Sequence, residues 1–539
     1  MDKRLYSNKE TLIEVIKGKN GIYTNKKHRN KKFIFTNNFK YVNGKILLYY
    51  MNIIIILMIF NLSINSLPYI ELTIPGPRIS RVFYKNEGNV YNEYCPTETT
   101  IPTNIYINNK PQETSVYEYY LEKPENIIKL EYDITSLNLI CYFHLCSNIT
   151  KVDFTNFIGI PIKYAMSSLF NGCTSLKSVN FANIDTSNVI SMTNMFINCT
   201  SLESIDLSNF VTTSLTHMNL IFYNCISLKS INLSNFDVQN VITISRMFDS
   251  CEQLISMDLS NLKAPQLTDM SNMFNNCKKL ASINLSNFEC PNVKNMESMF
   301  KNCESLVSID LFRNPAKNLI HLSYLFLNCY SLISVDLSNF VSTNNLLYIG
   351  SSFKNCTSLK YVNLSNLDTK KVRHMDFMFY NCRSLTSLNL SNFDFSTVTW
   401  IESMFDGCEK LEYINLKNVV EKPEVNKLNH SNIFRGIPEN AVICLIEEDT
   451  PILSSLIKNM KCPIIYCGDN WKQKQKQMLN CEIICDVDEP FLLNETQECV
   501  KYCDIDKILS GACITKYEGN KDNQVKLQDK FLDNILKKV

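Results

Sequence analysis

The sequence has 539 residues, with 54 Lys and Arg against 53 Asp and Glu, so its net charge is close to zero. This length exceeds one ordinary hydrophobic core, and we expect several domains or a repeat array. The charge balance does not favour nucleic acid as a partner. The six histidines are scattered, and HExxH, G-x-S-x-G, Walker and Rossmann patterns are missing from the sequence. We therefore expect no enzyme activity and no cofactor.

The first 66 residues indicate export. Residues 1–45 carry twelve Lys and Arg against three Asp and Glu, and residues 46–64 form an apolar run about long enough to cross a bilayer. The positive-inside rule keeps the basic end cytosolic and places residues 67–539 outside, at the cell surface or secreted. Residues 46–66 are either a signal-anchor, which would be the contact with the membrane, or the end of a cleaved signal peptide that starts at Met51. A buried core helix is a further alternative.

Residues 67–136 are predicted to form a β-rich N-terminal cap. Within it, the stretch TNIYINNKPQ, residues 103–112, suggests a hairpin. Cys95 and Cys141 lie outside the regular cysteine spacing that follows, and we expect them to form one disulfide.

A repeat fills residues 137–443. Its marker is a cysteine that recurs every 26 residues, or 27 in two intervals, from Cys146 onward. Apolar residues follow this cysteine at +3, +6 and +8, which indicates a strand with one buried face. Others precede the next cysteine at −10, −7, −4 and −3, as one stripe of a short helix. Asn or Gly at −1 favours the left-handed conformation that ends a helix, so each repeat is predicted to run strand, turn, helix.

We interpret the repeated thiol as a packing residue. Neighbouring cysteines would have Cα atoms within disulfide range, but parallel side chains would hold their Cβ atoms too far apart for an undistorted bond. A buried thiol is a small, inert apolar group. Redox or metal roles are the alternatives. The ladder cysteines are Cys173, Cys199, Cys225, Cys251, Cys277, Cys303, Cys329, Cys356, Cys382 and Cys408.

The motif C-x-x-L-x-x-[IV]-[ND]-L-S-N-F, followed by V-x-x-M-x-x-M-F-x-N-C, resembles the BspA-like leucine-rich-repeat surface proteins over residues 137–436. The resemblance implies a solenoid at the cell surface or secreted, with adhesion as its role and no catalytic residues. The predicted fold class is an α/β solenoid, a leucine-rich-repeat-like right-handed array of about ten 26-residue strand–turn–helix repeats. The N-terminal cap and a small disulfide-rich C-terminal module flank it.

The strand residues at +5, +7 and +9 alternate with buried ones and are predicted to face solvent as small polar rows. These rows either hydrogen-bond along the sheet and keep it soluble, or form a platform for a protein or glycan ligand. Calcium binding is a weaker alternative, because adjacent carboxylates are scarce. The candidate ligand residues are Asp206, Asn232, Asp258, Asn284, Asp310, Asp336, Tyr361, Asn363, Asn389 and Tyr413.

Glycosylation sequons accompany these rows, although such matches are common by chance in a chain rich in Asn and Ser. The candidate glycosylation sites are Asn148, Asn232, Asn284, Asn429 and Asn494.

The C-terminal segment, residues 444–515, has an even number of cysteines and little apolar periodicity, which suggests disulfide staples in an exported module. Zinc is the alternative, and residues 516–539 form a charged tail. The candidate disulfide cysteines here are Cys444, Cys462, Cys467, Cys481, Cys485, Cys499, Cys503 and Cys513.

Taken together, these patterns predict an exported leucine-rich-repeat protein that acts as a binding or adhesion module for an extracellular protein or glycan. The alternatives are a self-associating coat protein and an extracellular hydrolase. Saturable binding that depends on the exposed strand residues would distinguish the adhesin from the coat protein, and a cleft with converging acid and base groups would indicate the hydrolase.

Overall fold

The computed structural model describes residues 67–458, except 86–94, 97–99, 115, 310, 312–316, 418, 422–429, 439–440 and 447, together with three short strands after residue 490. These residues belong to one compact unit, residues 67–539. Within this described part, no helix has the length and apolar character needed to span a membrane. The predictions for residues 1–66 and 516–539, for Asp310, Asn429 and Asn494, and for Cys462, Cys467, Cys481, Cys485 and Cys503 fall on residues outside it.

An antiparallel sheet precedes the repeats. Its strands run in the order β4-β3-β6-β1 and continue into the first two strands of the array, Lys151–Asp153 and Ser178–Asn180, while β2 pairs with β5. The suggested hairpin is present as β3 and β4, joined through Asn108 and Asn109 with positive φ, and Cys95 is disulfide-bonded to Cys141. The strands are β1 Tyr69–Pro75, β2 Arg78–Arg81, β3 Asn104–Ile107, β4 Lys110–Gln112, β5 Glu118–Leu121 and β6 Glu125–Glu131.

The repeats form a β-solenoid of about 11 turns with a repeat of about 26 residues. Each coil supplies one short strand, and neighbouring strands pair parallel with equivalent residues opposite each other, as Val335 opposite Val362. The strands are β7 Lys151–Asp153, β8 Ser178–Asn180, β9 Ser204–Ile205, β10 Ser230–Ile231, β11 Ser256–Asp258, β12 Ser282–Asn284, β13 Ser308–Ile309, β14 Ser334–Asp336, β15 Tyr361–Asn363, β16 Ser387–Asn389, β17 Tyr413–Asn415 and β18 Val442–Cys444.

The predicted helix of each repeat is wrong, because no described coil of the array contains one. Two residues per coil, at −5 and −1, have left-handed φ, for example Asn194 at 63° and Asn198 at 59°. Successive N–H groups then alternate between a carbonyl three residues back and one in the next coil. Phe196 N donates to Ile221 O at 2.8 Å, which a helix would not allow. The α/β class is therefore replaced by a β-solenoid, although the −4 and −3 side chains still point inward.

A continuous column of phenylalanine rings fills the core. One ring per coil, three residues before the cysteine, stacks on the ring of the next coil with centroids 5.3–6.0 Å apart. The column runs from Phe143 to Phe434, and Phe274 at its middle is fully buried. A nearby cavity of about 20 Å³ is lined by apolar side chains, so it is a packing defect and not a ligand site.

Helix α1, Pro451–Lys458, follows the last coil. Its first turn is held by the buried carboxylate of Glu421, which accepts from Ile452 N at 2.8 Å and from Leu453 N at 3.3 Å. Farther along, three antiparallel strands form a small sheet in the order β20-β19-β21. They are β19 Phe491–Leu493, β20 Glu498–Val500 and β21 Cys513–Thr515.

Asparagine at −1 serves two purposes in the solenoid. Asn328 has φ 63°, a region that few residues other than Gly and Asn tolerate. Its Nδ2 donates to Asn302 Oδ1 at 2.8 Å, and its Oδ1 accepts from Asn355 Nδ2 at 2.7 Å. These amides link consecutive coils.

We expect Asn328→Ala to lower the free energy of unfolding by about 2 kcal/mol, because it combines left-handed strain with the loss of two hydrogen bonds. Asn328→Gly should lose less, since glycine tolerates this φ. Urea denaturation followed by circular dichroism measures both. Equal losses in the two variants would show that the backbone conformation at this position contributes nothing.

Candidate functional site

The strand face is the surface formed by the +5 and +7 side chains of β8–β16. Both positions are exposed in β8 to β12, as the predicted alternation requires, with Ser204 and Asp206 as one such pair. Asp336 is also exposed, whereas Tyr361, Asn363 and Asn389 are half-buried. The open part of this face therefore lies in the N-terminal half of the array. Its exposed members among the candidate ligand residues are Asp206, Asn232, Asp258, Asn284 and Asp336.

Tyr413 does not belong to the exposed face, contrary to the prediction. Its side chain is 9% exposed, and Asn415 on the same strand is fully buried. Tyr413 lies opposite Val442 of β18, which is also buried, so the face is covered at this end of the array.

The Asp and Asn side chains of the strand face end their own strands. Asp206 Oδ1 accepts from Ser208 N at 2.9 Å, and Asn232 and Asp258 accept from the residue two positions later at the same distance. Hydrogen bonds from the Ser208 backbone and side chain lower the pKa of Asp206. These Asx turns explain the repeated [ND]-L-S motif, a structural role that the sequence analysis did not recognise. One oxygen of each side chain is thus engaged in a turn.

The candidate glycosylation sites differ in accessibility. Asn232 and Asn284 are exposed on the strand face. Asn148 is half-buried, with Nδ2 donating to Ser80 Oγ at 3.2 Å and Oδ1 accepting from Arg78 at 3.1 Å. A glycan on Asn148 would displace these contacts, so glycosylation there remains the least supported of the three.

The ladder cysteines are free and buried. Each thiol donates to the carbonyl of the core phenylalanine one coil earlier, with Sγ–O distances of 3.0–3.2 Å. Phe170 O, for example, accepts from both Cys173 N and Cys199 Sγ. Burial raises the pKa of each ladder thiol, that of Cys408 to about 12. The thiol is therefore a buried hydrogen-bond donor as well as a packing group.

Cys146 and Cys290 are also buried and free, while Cys444 is disulfide-bonded. Among the residues that the structure describes, no cluster of three or more His, Cys, Asp or Glu side chains could hold a metal ion.

The structure shows a second surface that was not predicted from the sequence. It consists of the residues eight positions before each ladder cysteine, and we call it the bridge row. These residues pair between coils through isolated parallel bridges. In the C-terminal part of the bridge row four rings lie in series, two pairs stacked and the middle pair tilted by 38°, and we call these the aromatic row. The centroids of His321 and Tyr348 are 4.7 Å apart, Tyr348 and His374 5.3 Å, and His374 and Trp400 6.1 Å. No pattern within one repeat predicts this surface, because each of the four rings belongs to a different coil.

Polar groups flank the aromatic row. His374 Nδ1 lies 3.7 Å from Asp376 Oδ1, and a Cβ at Gly350 would come within 2.9 Å of the same oxygen. Asp376 is half-buried, and burial, with Glu402 nearby, raises its pKa. Lys354, an electrostatic neighbour of Asp376, has its Nζ 4.3 Å from the ring centroid of Phe377. This region therefore combines stacked rings with charged groups of both signs.

Comparison with known proteins identifies one protein family. Residues 148–254, 227–340 and 320–432 match the family model described as "Mycoplasma protein of unknown function, DUF285". No curated protein matches the chain.

Several solved structures are similar to this chain. A leucine-rich cell surface protein from Faecalibacterium prausnitzii is 19% identical over 67% of this chain and 94% of its own, with a TM-score of 0.28. A leucine-rich-repeat protein from Eubacterium ventriosum is 15% identical over 54% and 83%, with a TM-score of 0.24. A leucine-rich-repeat protein from Leptospira interrogans is 14% identical over 62% and 96%, with a TM-score of 0.21.

Proposed function

Because the chain belongs to the family described as Mycoplasma protein of unknown function, DUF285, we propose that it is an extracytoplasmic binding module that takes a protein or glycan ligand on its strand face. The predicted resemblance to BspA-like leucine-rich-repeat proteins is confirmed. Adhesion and export are part of the proposal, and no catalytic residue is assigned.

The exposure of the strand face carries this proposal. Five consecutive strands, β8 to β12, present Ser at +5 and Asn or Asp at +7 to solvent in parallel register. The +7 oxygens are partly engaged in turns, but the +5 serines are exposed beside them. A rigid row of hydroxyl, amide and carboxylate groups at strand spacing, about 4.8 Å, offers repeated hydrogen-bond partners to an extended ligand.

We expect the double variant Ser230→Arg/Ser256→Arg to abolish saturable binding of the protein to an array of extracellular-matrix proteins and glycans. The two arginines would fill the exposed face without removing an Asx-turn oxygen or a core side chain. Gln239→Arg/Gln266→Arg is the matched control, because it adds the same charge at exposed positions outside the strands. Surface plasmon resonance on the array measures both.

The proposal fails if the wild-type protein shows no saturable binding, or if the control variant loses binding equally. Light scattering on the same samples tests the coat-protein alternative. Assembly of the wild-type protein into large particles that the strand-face variant disrupts, without binding to any arrayed ligand, would favour self-association.

A further inference from the structure

We propose that the aromatic row, His321, Tyr348, His374 and Trp400, together with Asp376, is a second binding surface whose ligand is a neutral oligosaccharide. It occupies a different stretch of each coil from the strand face. The inference stands on its own geometry and does not depend on the proposed function.

The solenoid does not need rings at these positions. The same bridge row has Ser191, Thr243 and Asn295 in its N-terminal half, and the parallel bridges form there equally well. His217 also lies in that half, bridged to Ser191 and Thr243. Stacking of rings along four successive coils is therefore an addition to the fold, located in one part of one surface.

The rings remain accessible after stacking. The side chain of His374 is 38% exposed, and Trp400 is 46% exposed. The rings cover one another only in part, and Trp400 keeps the largest exposed fraction of the four. The row spans three coil spacings, about 15 Å at strand separation, which fits an extended chain better than one small molecule. Exposed aromatic groups of this extent typically mark an interaction site.

The surrounding charges favour a neutral, hydroxyl-rich ligand. Asp376 lies within electrostatic range of Lys354 and His374 as well as Glu402, so neither a polyanion nor a polycation finds a surface of one charge. The glycine at 350 leaves the Asp376 carboxylate a space that any side chain would fill. Ring surface for C–H groups beside a few fixed hydrogen-bonding groups is the combination that sugars require.

The test uses the full chain carrying Trp471→Phe, which leaves Trp400 as its one tryptophan. We expect at least one of three probes, the tetramers of N-acetylglucosamine, glucose and mannose, to shift the Trp400 emission saturably. Isothermal titration should show that Trp400→Ala and Asp376→Asn each weaken binding of that probe at least tenfold. Trp400→Phe, which keeps a ring, should retain more affinity than Trp400→Ala.

Two controls separate this surface from the others. His217→Ala changes the same row outside the aromatic part and should bind normally, as should the strand-face variant Ser230→Arg/Ser256→Arg. A lack of saturable change with all three tetrasaccharides overturns the proposal, as does binding that Trp400→Ala leaves intact. Loss of sugar binding in the strand-face variant alone would assign the ligand to that face instead.

Discussion

Raising the pH from about 7.5 to about 9.5 should unfold the solenoid or strongly lower its melting temperature. The described part of the chain contains twelve free, buried cysteines. Each stays protonated in the folded state, because burial raises its pKa well above the ordinary value of about 9. In the unfolded chain the same thiols ionise at their ordinary pKa.

The sign of the effect follows from proton binding. As the pH rises toward and past about 9, the unfolded thiols lose protons that the folded state keeps, so the relative stability of the folded state falls. At about pH 9.5 each thiol favours the unfolded chain by about 1 kcal/mol, and twelve together contribute on the order of 10 kcal/mol. That is comparable to the whole stability of a typical domain, about 5–15 kcal/mol. Tyrosines add little in this range, since their ordinary pKa is about 10.

Thermal melts by circular dichroism between pH 7.5 and 9.5 measure this dependence. The variant Cys251→Ala/Cys277→Ala/Cys303→Ala is the matched comparison, because it removes three of the twelve thiols and should reduce the pH dependence by about a quarter. At neutral pH, maleimide should label the unfolded but not the native thiols. A free energy of unfolding that stays constant across the range would contradict this account of the ladder.

The core of the array follows from the sequence, because it depends on local periodicity. Cysteine spacing, the phenylalanine at −3 and the apolar residue at +3 place Phe274, Cys277 and Leu280 inside, and all three are fully buried. The backbone conformation around these residues cannot be predicted from this periodicity. The −5 position is left-handed in every coil, yet Leu220, Arg246 and Phe377 occupy it in three of them. Hydrogen bonds to the next coil, which no local pattern encodes, hold these residues there.

The candidate surfaces were predictable to different degrees. The exposure of Asp206 follows from strand alternation, whereas Tyr413 is buried beside Val442 of β18, which the repeat pattern does not include. The aromatic row depends on register between coils, because His374 and Trp400 are 26 residues apart and meet only when the coils stack. Similar side chains at one repeat position, compared down the array, are the signal that could have revealed it.

Phe274→Ala should be the most destabilising single substitution in the middle of the array. The ring is fully buried and stacks on Phe248 at 5.5 Å and on Phe300 at 5.7 Å, with interplanar angles of 10° and 2°. Removing a buried phenylalanine typically costs about 3–5 kcal/mol, since the cavity that remains is only partly refilled. Here the cavity would lie between the rings of Phe248 and Phe300, which belong to the two neighbouring coils.

This position also tests how the coils are coupled. In a repeat array, stability is roughly a sum of coil terms and nearest-neighbour interfaces. Phe274→Ala weakens both interfaces of one interior coil, so we expect urea denaturation to change from one transition to two.

Phe434→Ala, at the end of the column with Phe405 as its stacking partner, should lower stability less and keep a single transition. Tyr330→Ala, at an exposed site, should change stability by less than about 0.5 kcal/mol. If Phe274→Ala unfolds in one transition with a loss similar to that of Tyr330→Ala, the column does not couple the coils, and the repeated phenylalanine would serve only to fill space.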